Sequence, residues 1–334
     1  MPSPVSYLEF CTYQKNHLLL YLFGKVHIDS LLHRQTTMTE RQTIKHWYLF
    51  CKTELLIERL PDGTYTIPSG EEPPITLNEW QTVHNISPLD EGDIEVKAVT
   101  MDAPPEFLQE PTSDPSLPAS GELSPTSTPK VYEMCGLRAS YYKLPTELYL
   151  KAGKCQEILY WDANTKFCGV CGAPMKLHTD ISKRCTNCGK EVWPQLATAV
   201  IVLVHRTIAA TNHANETPTE EVLLVHAHNF RTDFYGLVAG FVETGETLEE
   251  AVHREVLEET GITIDHLRYF GSQPWPYPCG LMVGFHADYV SGDIHLQREE
   301  LSKGAWFRRD NLPKIPEKLS IARKLIDDWL ENGK

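Results

Sequence analysis

Two clusters in this 334-residue chain carry side chains whose types and spacing suit metal chemistry. The first is Cys168-Gly-Val-Cys171, followed after thirteen residues by Cys185-Thr-Asn-Cys188. A CxxC turn can aim two thiolates at one tetrahedral ion, and Gly172 and Gly189, directly after each pair, allow the tight turn that such a knuckle needs. Four protein thiolates close the coordination sphere. The expected ion is therefore a structural zinc that holds a small ribbon together and leaves no position for a substrate. The second cluster runs Gly240-Phe-Val-Glu243-Thr-Gly245-Glu246-Thr247-Leu-Glu249-Glu250-Ala-Val-His-Arg254-Glu255-Val-Leu-Glu258-Glu259-Thr-Gly261-Ile262. Thr247 with Glu250 makes a capping box and Gly261 is placed as a C-cap, so the spacing predicts a helix over 248–260. On its wheel Leu248, Ala251 and Val252 form the apolar stripe, while Glu249, Glu250 and His253 point away. Glu255 and Glu259 fall on the stripe side, with Glu258 at its edge and Leu257 facing out. Carboxylates aimed at a core repel one another and are costly unless a cation holds them. A divalent cation resolves both costs, and hard oxygen donors without thiolate or histidine partners favour Mg²⁺ or Mn²⁺ over Zn²⁺.

The elements that must position these groups are also readable. LATAVIVLV over 196–204 is β-branched and almost wholly apolar, and 221–225 reads as a second strand. A C-terminal amphipathic helix is expected over 319–330, and 137–160 has helix-compatible spacing. Interleaved strands and helices imply a layered α+β or α/β/α catalytic half. Ahead of it, the apolar runs at 46–51 and 55–57, broken by Pro61-Asp62-Gly63, suggest a mostly β domain. Residues 103–130, with prolines at 104, 105, 111, 115, 118, 125 and 129, have little to bury and read as a linker or insertion. The expected organisation is a domain over 1–102, the linker over 103–130, a connecting segment over 131–160, a zinc ribbon over 161–193 and a catalytic domain over 194–334.

Composition narrows the class. With 31 Lys+Arg against 45 Asp+Glu the net charge is -14, which argues against a polyanion or membrane-surface binder driven by bulk electrostatics. An anionic substrate held through metal ions remains compatible. Nine cysteines are odd in number and too dilute for a disulfide scaffold, so reduced thiols and a reducing compartment are expected. The apolar run at 18–23 is far shorter than a spanning helix, and no leader or retention signal is visible, which makes the cytoplasm the expected location.

The glutamate segment matches the Nudix box, G-x5-E-x7-R-E-U-x-E-E-x-G-U with U aliphatic, at Gly240, Glu246, Arg254, Glu255, Val256, Glu258, Glu259, Gly261 and Ile262. The chain thus resembles the Nudix hydrolases, which use water and divalent metal ions to split nucleoside diphosphates linked to another moiety. That resemblance implies an α+β fold built on an α/β/α sandwich. Downstream, Ser272-Gln-Pro-Trp-Pro-Tyr-Pro-Cys-Gly280, with three prolines, reads as too rigid for a regular strand and is rich in aromatic surface for base stacking. It resembles the SQPWPFPxS motif of the NADH pyrophosphatase (NudC) subfamily, and a zinc ribbon directly before the catalytic domain fits the same subfamily. The resemblance implies a metal shell of the Ala239 carbonyl, Glu255, Glu259 and Glu300. It makes Glu258 a further ligand or base and Arg254 the residue that orients the carboxylates. Trp193 and Phe241 become aromatic walls. Gln273, Pro274, Trp275, Pro276, Tyr277, Pro278, Cys279, Gly280 and Ala322 line the substrate site, and Asp180 offers an acidic contact. Gly280 departs from the usual serine and Trp193 from the common tyrosine. The implied reaction is hydrolysis of NADH or NAD⁺ to NMN(H) and AMP with Mg²⁺ or Mn²⁺, extending to removal of NAD caps from RNA, in a homodimer that shares residues across its interface. The alternatives left open are another dinucleotide or ADP-ribose as substrate, and a catalytically dead zinc-ribbon protein that binds nucleic acid. The intact carboxylate set and the few basic ribbon residues, Lys176, Lys183, Arg184 and Lys190, speak against the last. The first hundred residues carry no usable resemblance.

Overall fold

The computed structural model describes residues 44–87, 94–108, 130–208, 219–228, 230 and 233–332. Cys11, the apolar run at 18–23 and residues 109–129 of the proline-rich stretch lie outside them.

The apolar run at 46–51 is strand β1 (Lys45–Cys51), and it has no polar face because both faces are buried. Tyr48 and Phe50 join one core with Leu55 and Ile57, while Trp47, Leu49 and Cys51 join another with Leu56. β2 (Glu54–Arg59) pairs antiparallel with β1, and short strands β3 (Tyr65–Thr66), β4 (Ser69–Gly70) and β5 (His84–Ile86) fill the margins. β6 (Glu95–Thr100) lies parallel to β1 and β7 (Val131–Gly136) antiparallel to β2. The short helix α1 (Leu137–Ser140) leads into α2 (Thr146–Asn164), which buries Tyr149, Ala152, Cys155, Ile158 and Leu159 against the first of those cores. The segment 131–160 therefore supplies a strand and most of a helix to the N-terminal sheet, beyond the connection that its sequence suggests. The helix-compatible spacing in 137–160 is the buried face of α2.

The ribbon consists of β8 (Met175–Thr179), β9 (Ser182–Cys185) and β10 (Glu191–Val192) in the order β10-β9-β8. Its own buried core is only Cys168, Met175 and Cys185. An ion pair ties it to α2: the buried Lys183 ammonium donates to Asp162 Oδ1 at 2.8 Å and to the carbonyls of Asp162 and Thr165. Burial would raise the Asp162 carboxyl, but hydrogen bonds from His84 and Lys183 outweigh it and hold the group at about 2.

The last sheet runs β14-β15-β11-β12-β16, with β13 (Val238–Phe241) paired on β11 (Ala197–Ile208). β12 (Thr219–Ala227) and β16 (Leu301–Arg308) are antiparallel neighbours, whereas β11 and β15 (Gly280–Ser291) are parallel. β11 is buried on both sides for the same reason as β1. Val200, Val202 and Val204 face α3 (Leu248–Thr260), and Ile201 and Leu203 face α4 (Ile321–Asn332) with Leu325, Ile326 and Trp329. One helix on each face of a mixed sheet makes this half an α/β/α sandwich and the whole chain α+β. The motif at 272–280 corrects the expectation of a wholly irregular stretch. Ser272, Gln273 and Pro274 end strand β14 (Thr263–Pro274), paired with Val283, Met282 and Leu281, and Gly280 opens β15, so only 275–279 form a turn. Pro274 is tolerated because it is the last residue of its strand. Among the described residues no helix is long and apolar enough to cross a membrane.

Candidate active site

Helix α3 forms between the ends that its sequence specifies. Thr247 Oγ1 accepts from the Glu250 N–H at 3.1 Å, Glu250 Oε2 accepts from the Thr247 N–H at 2.8 Å, and Gly261 caps the other end at φ 71°. The wheel holds: Glu255 and Glu259 are buried at 9% and 4% exposure, while Leu257, Glu258 and His253 are exposed. What admits Glu255 is Gly240 on β13, since a Cβ there would lie 1.9 Å from the Glu255 carboxyl. The first glycine of the motif is thus a matter of space. Any side chain would evict the carboxylate.

Arg254 organises the rest. Its Nε donates to Glu246 Oε1 at 2.6 Å, and its Nη2 to Glu246 Oε2 and to the Phe241 carbonyl, both at 2.9 Å. Its Nη1 reaches Glu255 Oε1 at 2.9 Å and Glu258 Oε2 at 3.2 Å. The guanidinium, helped by the Glu243 N–H, holds Glu246 down at about 2. Glu255 goes the other way, raised by burial against the opposing pull of Arg254. Glu259 is pushed up to about 8, by burial first and then by Glu255, Glu300 and Glu258. Arg254, Glu255, Glu258 and Glu259 line a cavity of about 820 Å³ together with Ala239, Phe241, Trp275, Tyr277, Pro278, Cys279, Gly280 and Glu300. Arg254 is the one guanidinium or ammonium group on that wall among the described residues, and its donors are already engaged. Two carboxyls raised by burial first and by neighbouring carboxylates after it, with Glu300 and Ala239 on the same wall, are an oxygen donor set suited to a divalent cation. Substituting lysine for Arg254 leaves one point charge where a fork binds five acceptor oxygens on four residues. Arg254→Lys is therefore expected to lower kcat about 10- to 100-fold, the range typical of groups that orient metal ligands, while zinc content stays unchanged.

The remaining expected site residues divide by place. Trp275 and Tyr277 meet edge to face at 5.1 Å in the cavity wall, and Phe241 is 66% exposed at its mouth. Gln273 is buried, its Nε2 donating to the Leu319 carbonyl at 2.9 Å, so it anchors the hairpin stem to the approach of α4. The Cys279 thiol donates to the Gln195 carbonyl and is pushed up by burial. Ala322 lines an adjoining cavity of about 590 Å³ that shares Trp275, Ala239 and Met282 with the first. Pro274 is exposed and Pro276 buried, and neither lines either cavity; nor do Trp193 and Asp180, both exposed. Phe230 and Phe234, stacked at 4.4 Å beside the cavities, have no signature in the sequence.

In the ribbon, all four cysteine sulfurs lie within 4.8 Å of one another, the only group of three or more such metal-binding side chains so gathered among the described residues. Sγ of Cys168 is 3.6 Å from that of Cys188, and Cys171 and Cys185 are 3.5 Å apart. Gly172 and Gly189 take the left-handed φ of 72° and 74° that the knuckles require. Backbone N–H donors pull the Cys168, Cys171 and Cys185 thiols down, toward the thiolate that binds metal. The residues fit a closed structural zinc site. The carboxylate cluster is more open, as expected where water and phosphate complete a coordination shell.

Comparison with known proteins agrees with this arrangement. Residues 204–329 match the NUDIX domain, 163–192 the NADH pyrophosphatase zinc ribbon domain, and 45–161 the NADH pyrophosphatase-like rudimentary NUDIX domain. A NAD-capped RNA hydrolase NudC from Deinococcus radiodurans is 38% identical over 216 residues, covering 64% of this chain and 72% of that protein. Its namesake from Klebsiella pneumoniae is 40% identical over 182 residues, covering 54% and 66%. A crystal structure of a NUDIX hydrolase from Nitrosomonas europaea aligns with 50% of this chain and 90% of its own at 22% identity and a TM-score of 0.38. Ribbon, box and proline-rich hairpin follow one another in a chain whose N-terminal sheet also matches that lineage, and the protein belongs to the NADH pyrophosphatase (NudC) family of Nudix hydrolases.

Proposed function

We propose that the protein hydrolyses the pyrophosphate of NADH and NAD⁺ to NMN(H) and AMP, and removes NAD caps from RNA. The observation that carries this reading is the juxtaposition of the turn at 275–280 with Glu255, Glu259 and Glu300 around one cavity. Rings for a base and carboxylates for a metal-dependent pyrophosphate cleavage face the same space. Glu255, Glu259, Glu300 and the Ala239 carbonyl would hold a divalent cation, Mg²⁺ or Mn²⁺ from the hardness of those donors, which would supply charge neutralisation for the pyrophosphate and a lowered pKa for the attacking water. The chain does the rest. Arg254 orients Glu255 and Glu258, Phe241, Trp275 and Tyr277 hold the base or nicotinamide, and Glu258, exposed at the cavity wall, serves as a further ligand or as the base. Trp193 and Asp180, which stand outside their own chain's cavities, are available to a partner's site in a homodimer. A reducing compartment, the cytoplasm, suits the ribbon thiols.

The test is incubation of purified protein with NADH, NAD⁺, ADP-ribose and NAD-capped RNA in the presence of Mg²⁺ or Mn²⁺. NMNH release from NADH is expected, and its absence would overturn the reading. Metal dependence has a second signature. Because the Glu259 carboxyl is raised, the metal-free folded state binds more protons than the unfolded chain between the ordinary carboxyl range and about pH 8. The metal-free protein should lose stability as pH rises through that window, whereas a cation that replaces the proton should stabilise it most at the upper end. Thermal unfolding with saturating MgCl₂ or MnCl₂ is expected to show a larger rise in Tm at about pH 8.5 than at about pH 6. A pH-independent rise would contradict the assignment of Glu259 as a ligand.

A further inference from the structure

The turn at 275–280 is gripped from the N-terminal domain. The Arg138 guanidinium on α1 lies over the Trp275 ring at 5.4 Å. On α2, the Tyr149 hydroxyl is 3.1 Å from that of Tyr277, and Glu157 Oε1 accepts the Gly280 N–H at 3.4 Å. Pro276 closes on Gly153 so tightly that a Cβ there would sit 3.1 Å from its Cγ. Tyr149, Gly153 and Glu157 are spaced four residues apart, which puts them on successive turns of one helical face. A glycine inside a helix costs roughly 1 kcal/mol relative to alanine, and here that space is filled by the proline of the hairpin. Residues 275–279 lie outside the strand ladder, held across the turn by the Trp275 N–H on the Gly280 carbonyl and at Cys279 by Ala197 and Gln195, and the side chains of Trp275, Pro276 and Tyr277 take their outside contacts from α1 and α2.

We infer that Tyr149, Gly153 and Glu157 are positioning residues for the nucleotide-holding hairpin, and that the N-terminal domain sets where Trp275 and Tyr277 stand relative to the carboxylate cluster. The inference rests on the reading of 275–280 as the wall that holds the nucleotide. It assigns to the N-terminal domain, which contributes no carboxylate to the metal cluster, control over KM without a part in the chemical step. Misplacing a substrate-positioning group by about 1 Å can cost on the order of 100-fold, and smaller displacements cost correspondingly less.

Steady-state kinetics on the full chain with zinc and Mg²⁺ or Mn²⁺ provide the test. Gly153→Ala, whose added Cβ must push Pro276 aside, is expected to raise KM for NADH about 5- to 10-fold with kcat within about twofold, and a retained cooperative thermal transition shows that the fold is intact. Glu157→Leu should raise KM by a similar factor, whereas Glu157→Gln, which keeps an acceptor oxygen, should return it to within about twofold of the parent. Should Glu157→Leu fail to fold, Gly153→Ala decides alone. An unchanged KM in Gly153→Ala, or equal KM in the leucine and glutamine variants, would overturn the positioning role. A parent protein inactive on NADH would instead overturn the substrate reading. The same variant pattern, measured on whichever of ADP-ribose or NAD-capped RNA the parent hydrolyses, then decides the positioning role separately.

Discussion

Replacing Glu259 by glutamine is expected to lower kcat for NADH hydrolysis by on the order of 10³-fold while raising the Tm of the metal-free protein. The two effects have one origin. Glu259 is 4% exposed, and its carboxyl is pushed up to about 8 by burial and by Glu255, Glu300 and Glu258. A glutamine of nearly the same shape removes the desolvation and the repulsion and leaves the packing of α3 on the sheet in place. It also removes an anionic oxygen from the shell that must hold a divalent cation against a pyrophosphate, and a neutral amide oxygen is a poor replacement. A loss of about 4 kcal/mol in transition-state stabilisation, within the several kcal/mol that a catalytic metal supplies, corresponds to the stated factor. Kinetics and thermal unfolding in chelator, run on the same preparation, check both halves. A Tm that falls together with activity would make Glu259 a structural residue, and an undiminished kcat would remove it from the metal shell. The contrast is Glu258→Gln. That side chain is 55% exposed, so its substitution should leave Tm almost unmoved, and a loss of kcat there reports the site and not the fold.

Much of this site was legible because its information is local. A capping box, a C-cap glycine and a 3.6-residue period lie within one helix, so the wheel could place Glu255 and Glu259 inward before any fold was known. The paired CxxC turns are local in the same way, and their glycines adopt the left-handed conformation that the spacing implies. The strands β1 and β11 announce themselves as apolar runs, but the runs do not tell which residue faces which core. What stayed hidden is long-range. Gly240 is a fixed letter of the motif, yet the reason for it, the Glu255 carboxyl lying where a Cβ would go, exists only once β13 meets α3. Lys183 reads as one more basic ribbon residue, whereas it is 4% exposed and paired with Asp162 on α2. Nothing in Gly153 or Glu157 points to a hairpin more than a hundred residues away. The N-terminal domain could be assigned to the same subfamily only by its company, and its likeness to a rudimentary NUDIX domain over 45–161 has no local sign, because the parallel pairing of β1 with β6 joins segments separated by turns and short strands with no motif of their own.

Replacing Cys185 by serine is expected to abolish stoichiometric zinc binding and to expose the ribbon at 163–192 to proteolysis, with a fall in Tm larger than for any carboxylate substitution at the active site. The ribbon buries only Cys168, Met175 and Cys185 as a core of its own, far too little apolar area to offset the entropy of ordering it. Zinc bound to four thiolates contributes roughly 10–16 kcal/mol of apparent free energy, comparable with the whole stability of an ordinary domain. Serine keeps the size of the side chain, but its hydroxyl does not ionise to the anion that the metal needs, and Cys185 is itself buried in β9 with two N–H donors aimed at its sulfur. The damage should not stop at the ribbon. Lys183 sits on the same strand as Cys185 and supplies the buried ammonium that holds Asp162 near the end of α2. Removing one member of a buried pair costs about 3–5 kcal/mol. Because α2 also grips Pro276, Tyr277 and Gly280, zinc loss is expected to raise KM for NADH as well as to lower Tm, although no zinc ligand lines the cavity that holds the carboxylates. Zinc content by atomic emission, limited proteolysis and KM on the purified variant check the three consequences together. Full zinc occupancy in Cys185→Ser would refute the four-cysteine site, and a normal KM with the ribbon unfolded would show that α2 holds the hairpin without help from the zinc.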